Sequence, residues 1–255
     1  MNLEEEIFCT NYELKTLSDL YFFGKAERWV KGFMNENTEN EHLNRYKFAL
    51  NFVEGKDVLE IACGSGFGCY YLLKEGNANS VTGVDLDSDA VRYGNNRYYD
   101  KSITRFVDDA TNFCSESKYD TITCFETVEH VPDYKRLIQN LHKNLKEDGV
   151  LLISTPITEI TNPTPNNKFH VIEWNFYDFH ELFASYFKMD KIIIQNVRIA
   201  VKEWIVPNLL EKIKNRIVAD KTVYTITGKD IEEFKGQYDM SKCIGGFQLL
   251  VLTKK

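Results

Sequence analysis

Val58-Leu59-Glu60-Ile61-Ala62-Cys63-Gly64-Ser65-Gly66-Phe67-Gly68, followed by Val81-Thr82-Gly83-Val84-Asp85, is the stretch that decides the fold. An apolar strand runs into a glycine-rich turn and a helix, and a second apolar strand ends on a carboxylate. Gly64 and Gly66 remove the side chains that would hold a ligand away from the turn, so the amides opening the next helix are free to meet polar ligand atoms. Asp85, at the carboxyl end of the second strand, is placed to accept hydrogen bonds from both hydroxyls of a ribose. The pattern predicts a nucleoside site.

Spacing separates two ligand classes. A dinucleotide fingerprint needs G-x-G-x-x-G, but counting from Gly64 the third glycine position is Cys69. Glu60-x-Ala62-x-Gly64-x-Gly66 instead resembles motif I of the class I S-adenosylmethionine-dependent methyltransferases, acidic-x-Gly-x-Gly-x-Gly, with Ala62 in place of the first glycine. Phe106-Val107-Asp108-Asp109-Ala110 is similar to that family's third motif. Tyr119 to Val131, containing Glu126-Thr127-Val128-Glu129-His130, resembles its fourth strand and following turn, and Leu145 to Pro156 its fifth. The resemblance covers Val58 to Pro156 in order. It implies that S-adenosylmethionine is the cofactor and S-adenosylhomocysteine the product, with Asp85 on the ribose, the Asp109 side chain on the adenine amino group and the Ala110 amide on a ring nitrogen. It also assigns Tyr46, Glu60, Ala62, Gly64, Gly66, Leu86 and Phe125 to the cofactor.

Composition agrees with one domain. The 255 residues, 43% hydrophobic and 27% charged, can bury a single sizeable core. A net charge of -7 argues against a nucleic-acid partner, because phosphate binding depends on clustered Lys and Arg; the mixed-sign stretch Lys212–Lys221 reads as a solvated helix face. No apolar run approaches the ~20 residues of a membrane span, and the acidic start, Met1 to Glu6, lacks the basic and apolar regions of a signal peptide. A cytoplasmic location is expected, with no stable membrane insertion. Six cysteines without a C-x-x-C pair read as reduced hydrophobes rather than a disulfide or zinc framework.

From Lys56 to Ile153 apolar runs alternate with helical patterns, which predicts an α/β fold with helices on both faces of a sheet. Candidate strands are Asp57–Ala62, Ser80–Asp85, Thr104–Val107, Thr121–Phe125 and Val150–Ser154. Gly68–Glu75, Ser88–Tyr99 and Tyr134–Leu145 have helical periodicity, the second capped by Asp87 or Ser88. Tyr177–Phe187 reads as a helix, Met189–Val197 and Gly246–Thr253 as strands, and Val201–Val218 as an inserted amphipathic helix broken at Pro207, a cap or a homodimer interface. The resemblance implies a Rossmann-like, mixed seven-stranded sheet whose seventh strand is antiparallel. Within the single domain 1–255, residues 1–54 form an N-terminal helical cover, 55–156 the cofactor-binding core, and 157–255 the acceptor loop, the insertion and the final strands.

Two flanks extend the resemblance, and the first would close over the cofactor. Tyr21 to Trp29, with His42-Leu43-Asn44-Arg45-Tyr46, resembles the helical cover of bacterial methyltransferases associated with sugar and surface-polysaccharide biosynthesis, in which H-x-x-R-Y precedes motif I. Thr155–Asn167, with three prolines and three asparagines, is a long turn-rich loop that predicts part of a lid or substrate wall. Lys168-Phe169-His170-Val171-Ile172-Glu173 after it resembles the N-P-F-H-x-x-E segment of the same group, with Lys168 where proline is usual. Arg45, Glu126, Glu129, His170 and Glu173 are thereby assigned to a small-molecule acceptor.

Methyl transfer to a hydroxyl needs somewhere for the proton to go, and histidine titrates near neutrality. His130 and His170 are the rival candidates for that catalytic role; the alternatives are that Glu129-His130 caps the turn and that His170–Glu173 ties down the loop. His42, His142 and His180 fall on predicted helices as surface or packing residues. Asp108, Asp109, Glu126, Glu129 and Asp133 are near the site, but their spacing specifies no oxygen cage, so no metal is expected. The function expected is methylation of an O or N atom of a sugar or other surface-polysaccharide precursor. A quinone precursor or lipophilic phenol, which would need an apolar groove rather than cationic groups near Lys168 or Arg198, is the second enzymatic reading. A catalytically silent nucleoside-binding module is the third.

Overall fold

The computed structural model describes residues 27–204, 219–228 and 230–255. Tyr21 to Ala26 of the predicted cover, and 205–218 of the predicted insertion, lie outside the described residues. Among the described residues nine strands form one sheet: β1 Asp57–Ile61, β2 Ser80–Asp85, β3 Ile103–Val107, β4 Tyr119–Phe125, β5 Leu145–Pro156, β6 Phe187–Trp204, β7 Ala219–Thr225, β8 Ile231–Glu233 and β9 Cys243–Lys254. Their order is β3-β2-β1-β4-β5-β9-β6-β7, with β8 also paired to β6. β1 to β5 are parallel, whereas β9 runs antiparallel between β5 and β6. The seven strands implied by the resemblance are therefore present, and β7 and β8 are added to them along β6.

Central strands carry near-continuous apolar runs because both faces of the sheet are covered. Leu59, Ile61, Ile122, Leu151 and Ile153 pack in one buried cluster with α4 (Tyr134–Asn144) and with Trp174, Phe179 and Phe183. Val58, Val81, Leu152 and Val251 point the other way, into a second cluster with α1 (Glu36–Ala49) and α2 (Phe67–Lys74). Helix starts follow the capping rule: the side chain of Asn35 accepts the amide of Thr38 before α1, Asp87 accepts Asp89 before α3 (Ser88–Arg97), and Asp133 accepts Arg136 before α4. Asp87, rather than Ser88, is the cap.

Downstream of β5 the chain departs from expectation. The helix expected over Tyr177–Phe187 is only α5, Phe176–Glu181, and Phe187 already opens β6. That strand continues through Trp204 by pairing with β7, so Val201–Trp204 is strand and not the start of a helix. Backbone pairing outweighed the local amphipathic pattern. The register of β6 against β9 shifts between Gln195 and Arg198, with Asn196 at φ 51 and Gly246 at φ 121. This bulge turns Asn196, Arg198 and Gly246 toward the carboxyl ends of β4 and β5, as bulges beside active sites do.

Gly246 is required there on two grounds. Its φ lies in a region that L side chains rarely adopt, and a Cβ would stand 2.6 Å from Val197 Cα and 2.8 Å from Asn196 O, both backbone atoms. Gly246→Ala should lower stability by about 2–4 kcal/mol, seen as an earlier urea midpoint at unchanged slope; an unshifted midpoint would show that the bulge relaxes freely.

Candidate active site

Every parallel strand delivers its carboxyl end to one cleft of about 830 Å³. At one end the glycine turn lies against Asp85. The Asp85 carboxylate, 8% exposed, accepts the Gly64 amide at 2.8 Å through Oδ2 and the Asp87 amide at 2.9 Å through Oδ1. Arg28, from the N-terminal cover, donates to Asp85 Oδ1 at 3.4 Å and to Asp87 Oδ2 at 3.1 Å. Arg105 fixes the turn from behind, donating to the carbonyls of Gly66 and Tyr98. Leu86, Asp109 and Ala110 continue the wall; Leu86 is 75% exposed, and the Asp109 carboxylate accepts the Thr111 amide at 2.8 Å.

Ala62 also lines the cleft, at φ 55. The family pattern has glycine here, and the backbone keeps the left-handed geometry although the side chain disfavours it by about 1–2 kcal/mol.

The cover is built from aromatic rings. Trp29 stacks on His42 at 5.2 Å and on Tyr46 at 5.6 Å, and Tyr46 meets Phe125 edge-on at 5.3 Å. The Ser65 hydroxyl bonds the Trp29 carbonyl at 3.0 Å, joining cover to glycine turn. Burial, together with the charge of Arg45, pushes His42 down to about 3 and keeps it neutral.

Glu60, Gly66, Arg45 and Glu173 do not line the cleft, although Tyr46, Ala62, Gly64, Asp85, Leu86, Asp109, Ala110, Phe125, Glu126, Glu129, His130 and His170 do. Glu60 alternates to the α1 face of β1, where its Oε1 accepts the Tyr46 hydroxyl and its Oε2 has no hydrogen-bond partner. Arg45 is buried, donating to Gln195 Oε1 at 2.8 Å and lying 4.8 Å from the Phe247 ring centre, so it ties α1 to β6 and β9. Glu173 stands behind His170.

At the other end, Glu126 has φ 47, and its Oε1 accepts the Ser154 hydroxyl at 2.6 Å. Glu129 is 1% exposed; burial, then the neighbouring charge of Glu126, raises its pKa well above the carboxylate range, and Thr155 donates to it at 3.1 Å. His130 Nδ1 lies 3.0 Å from the Phe169 carbonyl, which can only accept, so the proton is on Nδ1 and Nε2 carries the lone pair. Burial lowers the pKa of His130, a direction shared by His170 and opposed by the Phe169 bond. The His170 ring packs edge-on against it, with centroids 4.8 Å apart, and His170 Nδ1 is 2.7 Å from Glu173 Oε1. Lys168 turns onto the Phe169 ring, whereas Arg198 lines the cleft. Arg28, Glu27 and Arg105 carried no signal in sequence beyond being charged; Arg28 and Glu27 sat unassigned in the quoted cover segment.

A family profile described as a methyltransferase domain matches residues 34–187. A ubiquinone biosynthesis O-methyltransferase of Actinobacillus pleuropneumoniae is 38% identical over 114 residues, 41% of this chain and 47% of that protein. A Mycolicibacterium smegmatis protein described as a probable S-adenosylmethionine-dependent methyltransferase is 31% identical over 164 residues, 63% of each chain. The chain spans about half the length of the ubiquinone biosynthesis relatives it matches. Among solved structures, the N-methyltransferase NodS of Bradyrhizobium japonicum, in complex with S-adenosyl-L-homocysteine, aligns at TM-score 0.58 and 13% identity over 96% of this chain and 98% of its own. At that identity the likeness is one of fold, and it includes the mixed sheet with helices on both faces.

Glu60 makes stability depend on pH in a stated direction. Burial raises its pKa from 4.5 to about 7, against the opposing hydrogen bond of Tyr46 and the charge of Arg105. Between those values the folded chain keeps a proton that the unfolded chain has lost, so stability falls as pH rises from about 4.5 to 7, by on the order of 3 kcal/mol. Urea unfolding across that window should show the fall, and Glu60→Gln should make it shallower, with the raised pKa of Glu129 still contributing; equal slopes in both proteins would remove Glu60 as a cause.

Proposed function

The chain belongs to the methyltransferase-domain family, and from that premise we propose that it transfers the methyl group of S-adenosylmethionine to an O or N atom of a small hydrophilic acceptor. A sugar or other precursor of a bacterial surface polysaccharide is the class we favour. One observation carries the reading: a single cleft runs from Gly64, Asp85 and Asp109 to His130 and His170. A nucleoside held at the first end would present its sulfonium toward the second, and in-line approach is what the reaction needs from the protein.

Counting lone pairs says what the cofactor would displace. With Asp87 and Arg28 both donating to Asp85 Oδ1, that oxygen has no acceptor capacity left for a ribose hydroxyl, whereas Oδ2, bonded to Gly64 alone, has one site. A diol bridging both oxygens would replace Arg28. Asp109 and the Ala110 amide would meet the adenine, and the Trp29, Tyr46 and Phe125 rings would cover the methionine side. Neutral His130, with Nε2 toward the cleft, would act on the acceptor's proton, with His170 beside it.

The acceptor end supports a polar substrate. Thr158, His130, His170, Asn196 and Arg198 line it, and the exposed Arg198 makes no ion pair among the described residues. An unpaired guanidinium suits a phosphate or carboxylate on the acceptor. Likeness to ubiquinone biosynthesis O-methyltransferases favours a second reading, a lipophilic phenol, which Ile157, Phe169, Ile244 and Phe247 on the same wall could hold.

Asp85→Ala should weaken S-adenosylhomocysteine binding by about 2–4 kcal/mol in calorimetry, the worth of two charge-assisted hydrogen bonds; unchanged affinity in a folded variant would remove the cofactor assignment. Turnover of nucleotide sugars and of quinone precursors should be compared directly. Arg198→Gln should raise KM about tenfold for an anionic acceptor while leaving kcat largely unchanged, and a preference for the quinone precursor would install the second reading. With a hydroxyl acceptor, His130→Ala should lower turnover about 10²–10⁴-fold. Because burial lowers the pKa of His130, wild-type rate should hold at neutral pH and fall only on the acid side of about 6.5; a near-wild-type His130→Ala rate would exclude the histidine.

A further inference from the structure

Glu27, His130 and His170 reach one point from three distant parts of the chain: the N-terminal segment, the turn after β4 and the loop after β5. One ring nitrogen of each histidine and one carboxylate oxygen of Glu27 all lie within 4.8 Å of one another. Hydrogen bonding identifies the nitrogens. His130 Nδ1 is held by the Phe169 carbonyl at 3.0 Å and His170 Nδ1 by Glu173 at 2.7 Å, so both protons sit on Nδ1 and both Nε2 atoms offer lone pairs. A carbonyl or carboxylate on the far nitrogen is the arrangement that fixes the tautomer and orientation of metal-binding imidazoles.

The third ligand converges with them. Glu27 Oε2 is 3.5 Å from His170 Nε2. Asn167 Nδ2 lies between the two, 2.9 Å from Glu27 Oε2 and 3.1 Å from His170 Nε2, while Asn167 Oδ1 is engaged by the Phe169 amide at 3.0 Å. The Asn167 amide thus donates to two of the three ligand atoms, and a cation binding them would take over those lone pairs.

We propose that Glu27, His130 and His170 bind one divalent transition-metal ion of the Zn²⁺ class, with its remaining coordination positions open to the cleft. Two neutral imidazoles and one carboxylate suit Zn²⁺, Co²⁺, Ni²⁺ or Fe²⁺, whereas Mg²⁺ and Ca²⁺ select oxygen donors. With an ion in place both Nε2 lone pairs would be taken, so His130 could accept a proton from the acceptor only in the metal-free protein. The inference needs neither an acceptor nor methyl transfer, so it can fail while the proposed function stands.

The test reads binding rather than turnover. Chelator-stripped protein carrying Cys114→Ser, which removes the one exposed thiol among the described residues, is titrated with Zn²⁺ and separately with Mg²⁺ by calorimetry, and with Co²⁺ by visible absorption. One Zn²⁺ per chain is expected, with a Co²⁺ spectrum of nitrogen and oxygen ligation. His130→Ala, His170→Ala and Glu27→Gln should each weaken Zn²⁺ binding at least about tenfold, and Glu173→Gln about 10- to 100-fold through loss of the outer carboxylate. Circular dichroism melts separate ligand loss from unfolding, and the Co²⁺ spectrum of the parent protein stands even where a variant does not fold. Absence of a stoichiometric Zn²⁺ site, a site unaffected by both histidine substitutions, or a preference for Mg²⁺ would overturn the proposal.

Discussion

The bond from the Gly64 amide to the Asp85 carboxylate is the contact on which the cleft depends. It joins the ends of β1 and β2 at 2.8 Å, and it exists because a glycine at φ 52 can turn its N–H toward a neighbouring strand end. Around it the other pieces fall into place: the Asp87 amide on the second carboxylate oxygen, Asp87 itself capping α3, and Arg28 reaching in from the cover to both acids. One buried carboxylate thereby organises a strand end, a turn, a helix start and the N-terminal segment.

Behind this surface the protein keeps polar groups in a costly environment. Arg105, Gly83, Glu60 and Thr123 occupy one row across β3, β2, β1 and β4. Gly83 leaves room in that row: a Cβ there would come within 2.7 Å of the Cys69 sulfur and 2.9 Å of the Cys63 sulfur. The cysteines fill space where a larger residue would push the glycine turn off the sheet. Glu60, with one oxygen unpartnered, responds by holding its proton, which is the cheaper state for a buried acid. Glu129 responds in the same way at the far end of the cleft.

Strain is placed at turns that line the cleft. Ala62 and Glu126, both with positive φ, follow β1 and β4 directly and line the cleft. The surrounding hydrogen bonds hold them there: Cys63 N to the Val84 carbonyl in one case, Glu126 N to the Ser154 carbonyl in the other. Backbone energy spent at such positions aims the adjoining residues into the site.

Sequence alone determined the α/β class, the first five strands, the glycine turn and the carboxylates at the ends of β2 and β3, because these rest on local patterns: apolar runs, turn residues and caps lie within a few positions of one another. It placed His130 and His170 near the acceptor but left their roles open. Only the tertiary structure decided which members of a motif face the cleft. Glu60 and Arg45 turn inward because strand alternation and helix packing direct them there, whatever motif they belong to. The continuation of β6 through Trp204 depends on a partner strand remote in sequence, against a locally helical pattern. The convergence of Glu27, His130 and His170 is invisible to spacing for the same reason. More than a hundred residues separate the first ligand from the second, and contacts of that kind are set by the path of the whole chain over the sheet.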